Sequence, residues 1–179
     1  MILSLSNQLK YVIDYGEEWV PLRKELDHLK DYFYIIEVRF ENRFELKIDA
    51  ADDVNLEWPI LKLALQPIVE NAIQHGLRPQ GRGTVVVAVK RIEDRIAVTV
   101  ADDGIGIERT KLDALLARLK QGGAPADHVG MKNVHERLRS LCGESFGLSV
   151  SSRPHIGTSV TLEFPIKEVL VHDPGAHRG

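Results

Sequence analysis

This sequence is poor in the features that mark secreted, membrane-spanning and nucleic-acid-binding proteins. Cys142 is its only cysteine, which excludes an internal disulfide and is typical of a reducing compartment. No apolar run approaches the ~20 residues that a membrane-spanning helix needs, and the first residues carry no signal-peptide pattern. The net charge of −3 predicts no direct nucleic-acid partner. We therefore expect a cytoplasmic protein.

What the chain does have is enough apolar sequence for one substantial core, 44% of 179 residues. Leu5, Leu9 and Val12 recur at helical spacing and predict a first helix. A second helix is predicted to begin at Val20 and Pro21, because proline suits the first helical turn. Both helices precede the part of the sequence in which strands are predicted.

The second helix carries an apolar stripe with alternating four- and three-residue spacing. Its members are Leu22, Leu26, Leu29, Phe33, Ile36 and Phe40. A sustained period of about 3.5 residues requires a partner along its whole length. Two interpretations stay open: the stripe packs on the chain's own core, or it forms the seam of a bundle or dimer. His28, on the same helix, is interpreted as a surface residue.

The periodicity of the remaining chain predicts an α+β domain. The predicted elements are a strand over 44–48, a helix over 58–76, hairpin strands over 84–90 and 95–100, helices over 110–120 and 131–141, and strands over 148–150 and 160–164. Pro67 predicts a kink or a staggered first turn in the helix over 58–76, and Gly76 its end. Residues 121–126 are the most flexible-looking stretch.

This order predicts a two-layer α/β sandwich in which the helices cover one face of a mixed sheet. We divide the chain into a helical segment over 1–41, the α+β domain over 42–168 and a loose tail over 169–179.

The first candidate site residue is Asn71, an amide in the middle of an apolar helix. A buried amide must find partners or cost roughly 1–3 kcal/mol, and its oxygen suits Mg²⁺. The alternative is an amide that caps a neighbouring strand or loop. His75 lies one turn further on, where it either reaches a phosphate or only complements the helix dipole.

The second candidate is Asp102, at the end of an apolar strand and followed by Gly104 and Gly106. A carboxylate there can accept a hydrogen bond from the exocyclic amine of adenine and repel the oxygen of guanine. The two glycines allow a tight turn and close backbone approach. Such a turn is common, however, and by itself it is weak support for a nucleotide site.

Two further segments complete the pattern. Residues 127–133 (DHVGMKN) place a loop at a helix N-terminus, where free N–H groups favour a phosphate, although Asp127 also suits a simple N-cap. Gly157 and Thr158 precede the last strand, where they serve either the site or only a turn.

In this order and spacing, the segments resemble the GHKL (Bergerat) ATP-binding fold shared by histidine kinases, gyrase, Hsp90 and MutL. Residues 65–76 (LQPIVENAIQHG) look like the N box of LytS-type sensor histidine kinases, and residues 130–138 (GMKNVHERL) are similar to the G2 segment of that family. Residues 20–40 match the linker that follows the phosphoacceptor helix. The resemblance covers residues 3–166.

The resemblance implies ATP and Mg²⁺ as ligands and a role for each matching residue. Asn71 would ligate Mg²⁺, Asp102 would bind adenine, and Gly104 and Gly106 would shape the base pocket. Glu70 matches the family motif and is assigned as the catalytic candidate, in a supporting or water-orienting role.

The remaining matches concern the phosphates and the adenine side. Gly130, Met131 and the first N–H groups of their helix would hold phosphates, together with His75 and His128. Thr158 would support the adenine-side carboxylate or its water.

The sequence departs from the family pattern at three points. His128 stands where the G2 segment has the first glycine of Gly-x-Gly. Pro67 stands where GHKL hydrolases carry a basic carboxylate, and proline cannot act as a base. The phosphoacceptor motif, a His-Phe pair followed by Asn, is absent, so that we expect a truncation beginning just after the acceptor site.

We therefore expect the catalytic ATP-binding domain of a two-component sensor histidine kinase, which does not phosphorylate itself without the missing histidine. The implied partners are the phosphoacceptor helix of the same or a partner subunit and a response regulator. The full-length protein is expected to be a homodimer, and an upstream anchor in the inner membrane stays open. The alternatives are a GHKL-type ATPase and a non-catalytic module that senses adenine nucleotides.

Overall fold

The computed structural model describes residues 6, 11, 18–121 and 129–166. The elements are, in order, β1 (Trp19–Pro21), α1 (Leu22–Arg39), β2 (Phe44–Ala50), β3 (Pro59–Leu61), α2 (Gln66–Asn71), a π-helix (Ala72–Leu77), α3 (Arg78–Gln80), β4 (Gly83–Ile92), β5 (Arg95–Asp102), α4 (Arg109–Gln121), α5 (Val129–Cys142), β6 (Leu148–Arg153) and β7 (Gly157–Pro165). Most of the predicted first helix, segment 122–126 and the tail from 169 lie outside the described residues.

The main sheet has five strands in the order β2-β4-β5-β7-β6. Strand β2 runs parallel to β4, and the other neighbours are antiparallel. Alternate residues such as Val85, Val87 and Val89 of β4 are buried on one face. They share a single apolar core with residues of α1, α2, the π-helix, α4 and α5. This confirms the predicted mixed sheet and two-layer sandwich.

The apolar stripe of α1 packs on the chain's own core, which decides between the two interpretations. Its first five members are at most 8% exposed, and all five belong to the core cluster, with Phe40 packed against it. The predicted start of this helix was wrong by two residues. Val20 and Pro21 form β1, because they pair with Ile60 and Pro59 of β3.

The helix predicted over 58–76 is wrong at both ends. Its first residues form β3, since pairing with β1 overrides the apolar pattern. Pro67 lies in the first turn of α2, which was one of the two predicted alternatives, the other being a kink. The backbone continues through Gly76 as the π-helix and α3, and stops at Gly81, whose φ of 85° is left-handed.

The hairpin β4–β5, helix α4 and the last two strands are confirmed. In α5, Met131, Val134 and Leu138 are buried, but Leu141 is 37% exposed because it lies in the last turn. His28 is buried, not at the surface, since a distant segment covers it. Within the described residues, no helix combines the length and apolarity needed to cross a membrane.

Candidate functional site

Asn71 is the last residue of α2 and is half-buried. Its side-chain nitrogen donates to the carbonyl oxygen of Pro67 at 2.6 Å, one turn back along the helix. This bond engages the amide nitrogen and fixes the rotamer of the side chain. His75 follows in the π-helix as an exposed side chain.

Asp102 ends β5 and pairs with Thr158 of β7. One carboxylate oxygen accepts the N–H of Gly104 at 3.0 Å, and the N–H of Thr158 also bonds the carboxylate. Burial raises the pKa of Asp102 to about 6; the two N–H groups oppose this rise and the nearby Asp103 adds to it. The carboxylate is therefore held ready for a hydrogen-bond donor, at a site where its charge is costly.

The backbone of the π-helix comes very close to the loop after β5. A Cβ atom on Gly76 would lie 2.5 Å from Oδ1 of Asp102, and one on Gly104 would lie 2.3 Å from the carbonyl carbon of Gly76. The N–H of Ile105 donates to the carbonyl of Gly76 at 3.1 Å. Gly76 is thus a packing glycine of the site, whereas its sequence context predicted only a helix end.

The turn between β6 and β7 packs against the other side of the loop that follows β5. The hydroxyl of Thr158 bonds that of Ser152 at 2.9 Å, and Ser152 accepts the N–H of Ile107 at 2.9 Å. Gly106 has a φ of 65°, and a Cβ there would lie 2.0 Å from the carbonyl oxygen of Arg153. Ser152 and Ile107 were not anticipated, because neither belongs to a motif.

The start of α5 packs on the start of α2. A Cβ on Gly130 would lie 3.0 Å from Cβ of Pro67, and Met131 is 3% exposed. The helix N-terminus that was expected to hold phosphates is thereby placed beside the helix of Asn71. His128 lies outside the described residues.

These residues meet in a small cavity of about 40 Å³. Of the predicted site residues, its lining includes Asn71, His75, Asp102, Gly106, Met131 and Thr158. An adjoining cavity of about 620 Å³ shares His75, Gly106 and Ile107 with it and extends to α4. Gly104 and Gly130 do not line either cavity; Gly104 lies close to Gly76, and Gly130 to Pro67.

Glu70 is also absent from the lining of both cavities. Its carboxylate accepts a hydrogen bond from Nε2 of Gln66 at 2.8 Å. Burial raises the pKa of Tyr32 on α1, and the charge of Glu70 adds to this rise. The side chain therefore faces α1, consistent with the turn of about 100° between successive helical residues.

The side chains that line the cavity suit a metal ion that takes most of its ligands from water and phosphates. Among the described residues, no group of three or more His, Cys, Asp or Glu side chains is arranged to hold a metal ion. Asn71 lines the cavity, and a side-chain amide oxygen is a hard donor of the kind that Mg²⁺ takes. Mg²⁺ accepts one or two protein oxygens together with phosphates and water, so these residues fit that ion.

Gly76→Ala is expected to weaken ATP binding by ~10-fold, the scale of one charge-assisted hydrogen bond. The new methyl group would displace the carboxylate of Asp102 from the two N–H groups that hold it. Isothermal titration would measure affinity, and thermal unfolding would measure the loss of stability that the tight contact causes, which the helix preference of alanine partly offsets. Gln74→Ala, an exposed position of the same helix, is the control. Unchanged affinity in Gly76→Ala would contradict the close contact.

Comparisons with known proteins identify the family of this chain. The family model "Histidine kinase-, DNA gyrase B-, and HSP90-like ATPase" matches residues 58–168, and the model "Histidine kinase" matches residues 1–44. The sensor histidine kinase YpdA of Escherichia coli is 34% identical over 92% of this chain and 28% of its own length. YesM of Bacillus subtilis is 30% identical over 96% of this chain and 28% of its own length.

LytS of Oceanobacillus iheyensis is 33% identical over 76% of this chain and 24% of its own length. The chain thus spans less than a third of each of these curated relatives.

Solved structures show the same fold at low sequence identity. The catalytic domain of histidine kinase ThkA covers 84% of this chain and 97% of its own, with a TM-score of 0.62 and 11% identity. The Acinetobacter baumannii histidine kinase AdeS covers 93% of this chain and 77% of its own, with a TM-score of 0.62 and 13% identity.

Two family models, relatives at 30–34% identity and the shared fold all agree. The chain belongs to the LytS-like sensor histidine kinases and contains the histidine kinase-, gyrase- and HSP90-like ATP-binding domain of that family.

Proposed function

We propose that this domain binds Mg-ATP and presents the γ-phosphate to a histidine on a phosphoacceptor helix of the full-length kinase. The observation that carries the proposal is the shared cavity of Asp102, Asn71 and Met131. A hydrogen-bond acceptor for a base, an oxygen ligand for a metal and the start of a phosphate-binding helix line one space.

Asp102 would recognise the base. Its carboxylate, held by Gly104 and Thr158, would accept a hydrogen bond from the exocyclic amine of adenine. Guanine presents an oxygen at that position, which would face the carboxylate without a proton between them and so would be rejected. A cavity of about 40 Å³ holds little more than water, so that nucleotide entry requires its walls to move apart.

Asn71 and the start of α5 would hold the metal and the phosphates. The oxygen of Asn71 would be a protein ligand of Mg²⁺, which when bound would neutralise phosphate charge. The N–H groups at Gly130 and Met131 would face phosphates with the favourable end of the helix dipole. His75 and His128 would add phosphate contacts.

The arrangement favours transfer to a protein group over rapid hydrolysis. Pro67, where hydrolases of the fold have a base, packs on Gly130 and has no group that could accept a proton. Glu70 is engaged by Gln66 and would support the site indirectly. Phosphoryl transfer needs chiefly positioning and charge neutralisation, which the cavity residues would supply.

The partners of the whole protein are part of the same proposal. A homodimer would bring the phosphoacceptor helix of the same or the partner subunit to the cavity, and a response regulator would receive the phosphate. In support, one solved relative, histidine kinase ThkA, forms a complex with the response regulator TrrA. An upstream anchor in the inner membrane also stays a proposal.

The test is incubation with γ-labelled ATP of a longer chain that includes the proposed phosphoacceptor histidine. We expect acid-labile phosphohistidine there, none in the 179-residue chain alone, and no label in the Asn71→Ala variant. Steady phosphate release by the 179-residue chain would instead support an ATPase. Nucleotide binding without either activity would leave a sensing module.

A further inference from the structure

Glu25 of α1 is a buried carboxylate that the proposed chemistry does not use. It is 1% exposed, and among the described residues three donors reach its two oxygens. Oε1 accepts the N–H of Leu65 at 3.1 Å. Oε2 accepts the N–H of Leu63 at 3.0 Å and the hydroxyl of Tyr11 at 2.6 Å. A carboxylate so buried is stabilised only while its hydrogen bonds persist.

Two of these donors belong to the loop that leads into α2. Leu63 has a φ of 57°, a left-handed conformation that is costly for a branched side chain. Leu65 immediately precedes the first residue of α2. Glu25 therefore holds a strained backbone in place directly before α2. Asn71 lies about 9 Å from Leu65 along the axis of that helix.

A second contact joins α1 to α2, one turn of α1 after Glu25. Nε2 of His28 and Oε1 of Gln66 lie 2.6 Å apart, and Gln66 donates to Glu70 at 2.8 Å. The ring of Tyr11 stacks on His28 with centroids 4.1 Å apart. Tyr11, upstream of α1, thus contacts both residues through which α1 holds α2.

The loop is also held from α5. Nη1 of Arg137 donates to the carbonyl oxygen of Lys62 at 3.0 Å, and Gly130 packs on Pro67. Residues 62–67 therefore meet α1 on one side and α5 on the other. A shift of this loop would move Asn71 relative to both Asp102 and Gly130.

We propose that Glu25 is a positioning residue for the metal-phosphate half of the nucleotide site, and that Tyr11 stabilises Glu25 in that role. The inference rests on the proposed function. Glu25 sets the start of α2 and so the place of Asn71, whereas Asp102 on β5 is anchored by Gly104 and Thr158, independently of α1.

Glu25→Gln tests this because it keeps the side-chain size and replaces one acceptor oxygen by an N–H₂ group that faces an N–H donor. Isothermal titration would measure ATP affinity with Mg²⁺ and with EDTA. We expect affinity with Mg²⁺ to fall ~10-fold, on the scale of one charge-assisted hydrogen bond, while affinity in EDTA changes little. A merely structural role would lower both affinities alike.

Asp27→Asn is the matched control, because it removes the same charge from an exposed position of the same helix. It should leave both affinities unchanged. A Glu25→Gln variant that retains the full magnesium-dependent gain would overturn the inference. Absence of ATP binding in the unmodified chain would instead overturn the proposed function, so that the two failures are distinguishable.

Tyr11→Phe decides the matter if Glu25→Gln does not unfold cooperatively. It keeps the ring that stacks on His28 and both backbone bonds of Glu25, and removes only the hydroxyl. We expect the magnesium-dependent gain to fall by ~3-fold, the scale of one ordinary hydrogen bond. An unchanged gain would refute the role of Tyr11 and Glu25 in positioning.

Discussion

Asp102→Asn is expected to weaken ATP binding by ~100-fold, the scale of a charge-assisted hydrogen bond lost inside a half-buried site. The substituted amide presents a donor where adenine also presents one. It also disturbs the acceptor atoms that the N–H groups of Gly104 and Thr158 use. Isothermal titration with ATP and GTP would measure the loss and show whether preference for adenine falls with it.

The pH dependence of binding gives the same prediction a second form. The free carboxyl has its pKa raised to about 6, chiefly by burial. A donor from adenine favours the ionised form and lowers this pKa on binding. Affinity should therefore be full above pH 6 and fall as the pH drops through 6, with proton release on binding. Asp102→Asn should remove this dependence while any contribution of the ATP phosphates remains.

Asp103→Asn is the control for both forms. Its carboxylate is exposed and accepts the N–H of Thr84 at 2.7 Å, outside the lining of the cavity. It should leave affinity at pH 8 unchanged and shift the pH midpoint down, because the charge of Asp103 raises the pKa of Asp102. Equal losses in Asp102→Asn and Asp103→Asn would show that the base site is wrongly placed.

Asn71→Ala is expected to abolish the enhancement of ATP binding by Mg²⁺, a loss of ~10-fold or more. Alanine removes the oxygen that would ligate the metal and the bond to the carbonyl of Pro67. The adenine contacts of Asp102 should survive, so that affinity in EDTA should match that of the unmodified chain. Titration with and without Mg²⁺ provides the measurement.

Asn55→Ala, an exposed loop position, is the control for Asn71→Ala and should keep the full magnesium effect. Retention of that effect by Asn71→Ala itself would remove this residue as a metal ligand. Equal losses of affinity in Mg²⁺ and EDTA would mean that Asn71 supports the fold and not the ion.

Much of the fold followed from local patterns. The alternation in β2 and the apolar stripe of α5 each mark the face of the element that is buried in the core. The hairpin of β4 and β5 followed from two strand patterns separated by a short turn. The errors fell where a distant partner overrode a local preference. Pro59 sits in a strand because β1 pairs with it, and His28 is buried because Gln66 covers it.

The site residues were likewise predictable only where a local pattern was unusual. Asn71 and Asp102 could be found because an amide in an apolar helix and a carboxylate at a strand end are unusual choices for packing alone. The roles of Gly76 and Glu25 could not be found in this way, although both lie in segments that match the family, since a motif match does not show which atoms a residue contacts. Their importance depends on atoms that the fold brings within about 3 Å of them.

The sequence by itself determined the fold class, the family resemblance and the residue types that an adenine nucleotide requires, because these depend on periodicity and on short motifs. Only the tertiary structure decided that the stripe of α1 packs on its own core, and that Glu70 faces away from the cavity that Asn71 lines. The physical reason is that burial and hydrogen bonding between distant segments are properties of the packed chain, and no local pattern encodes them.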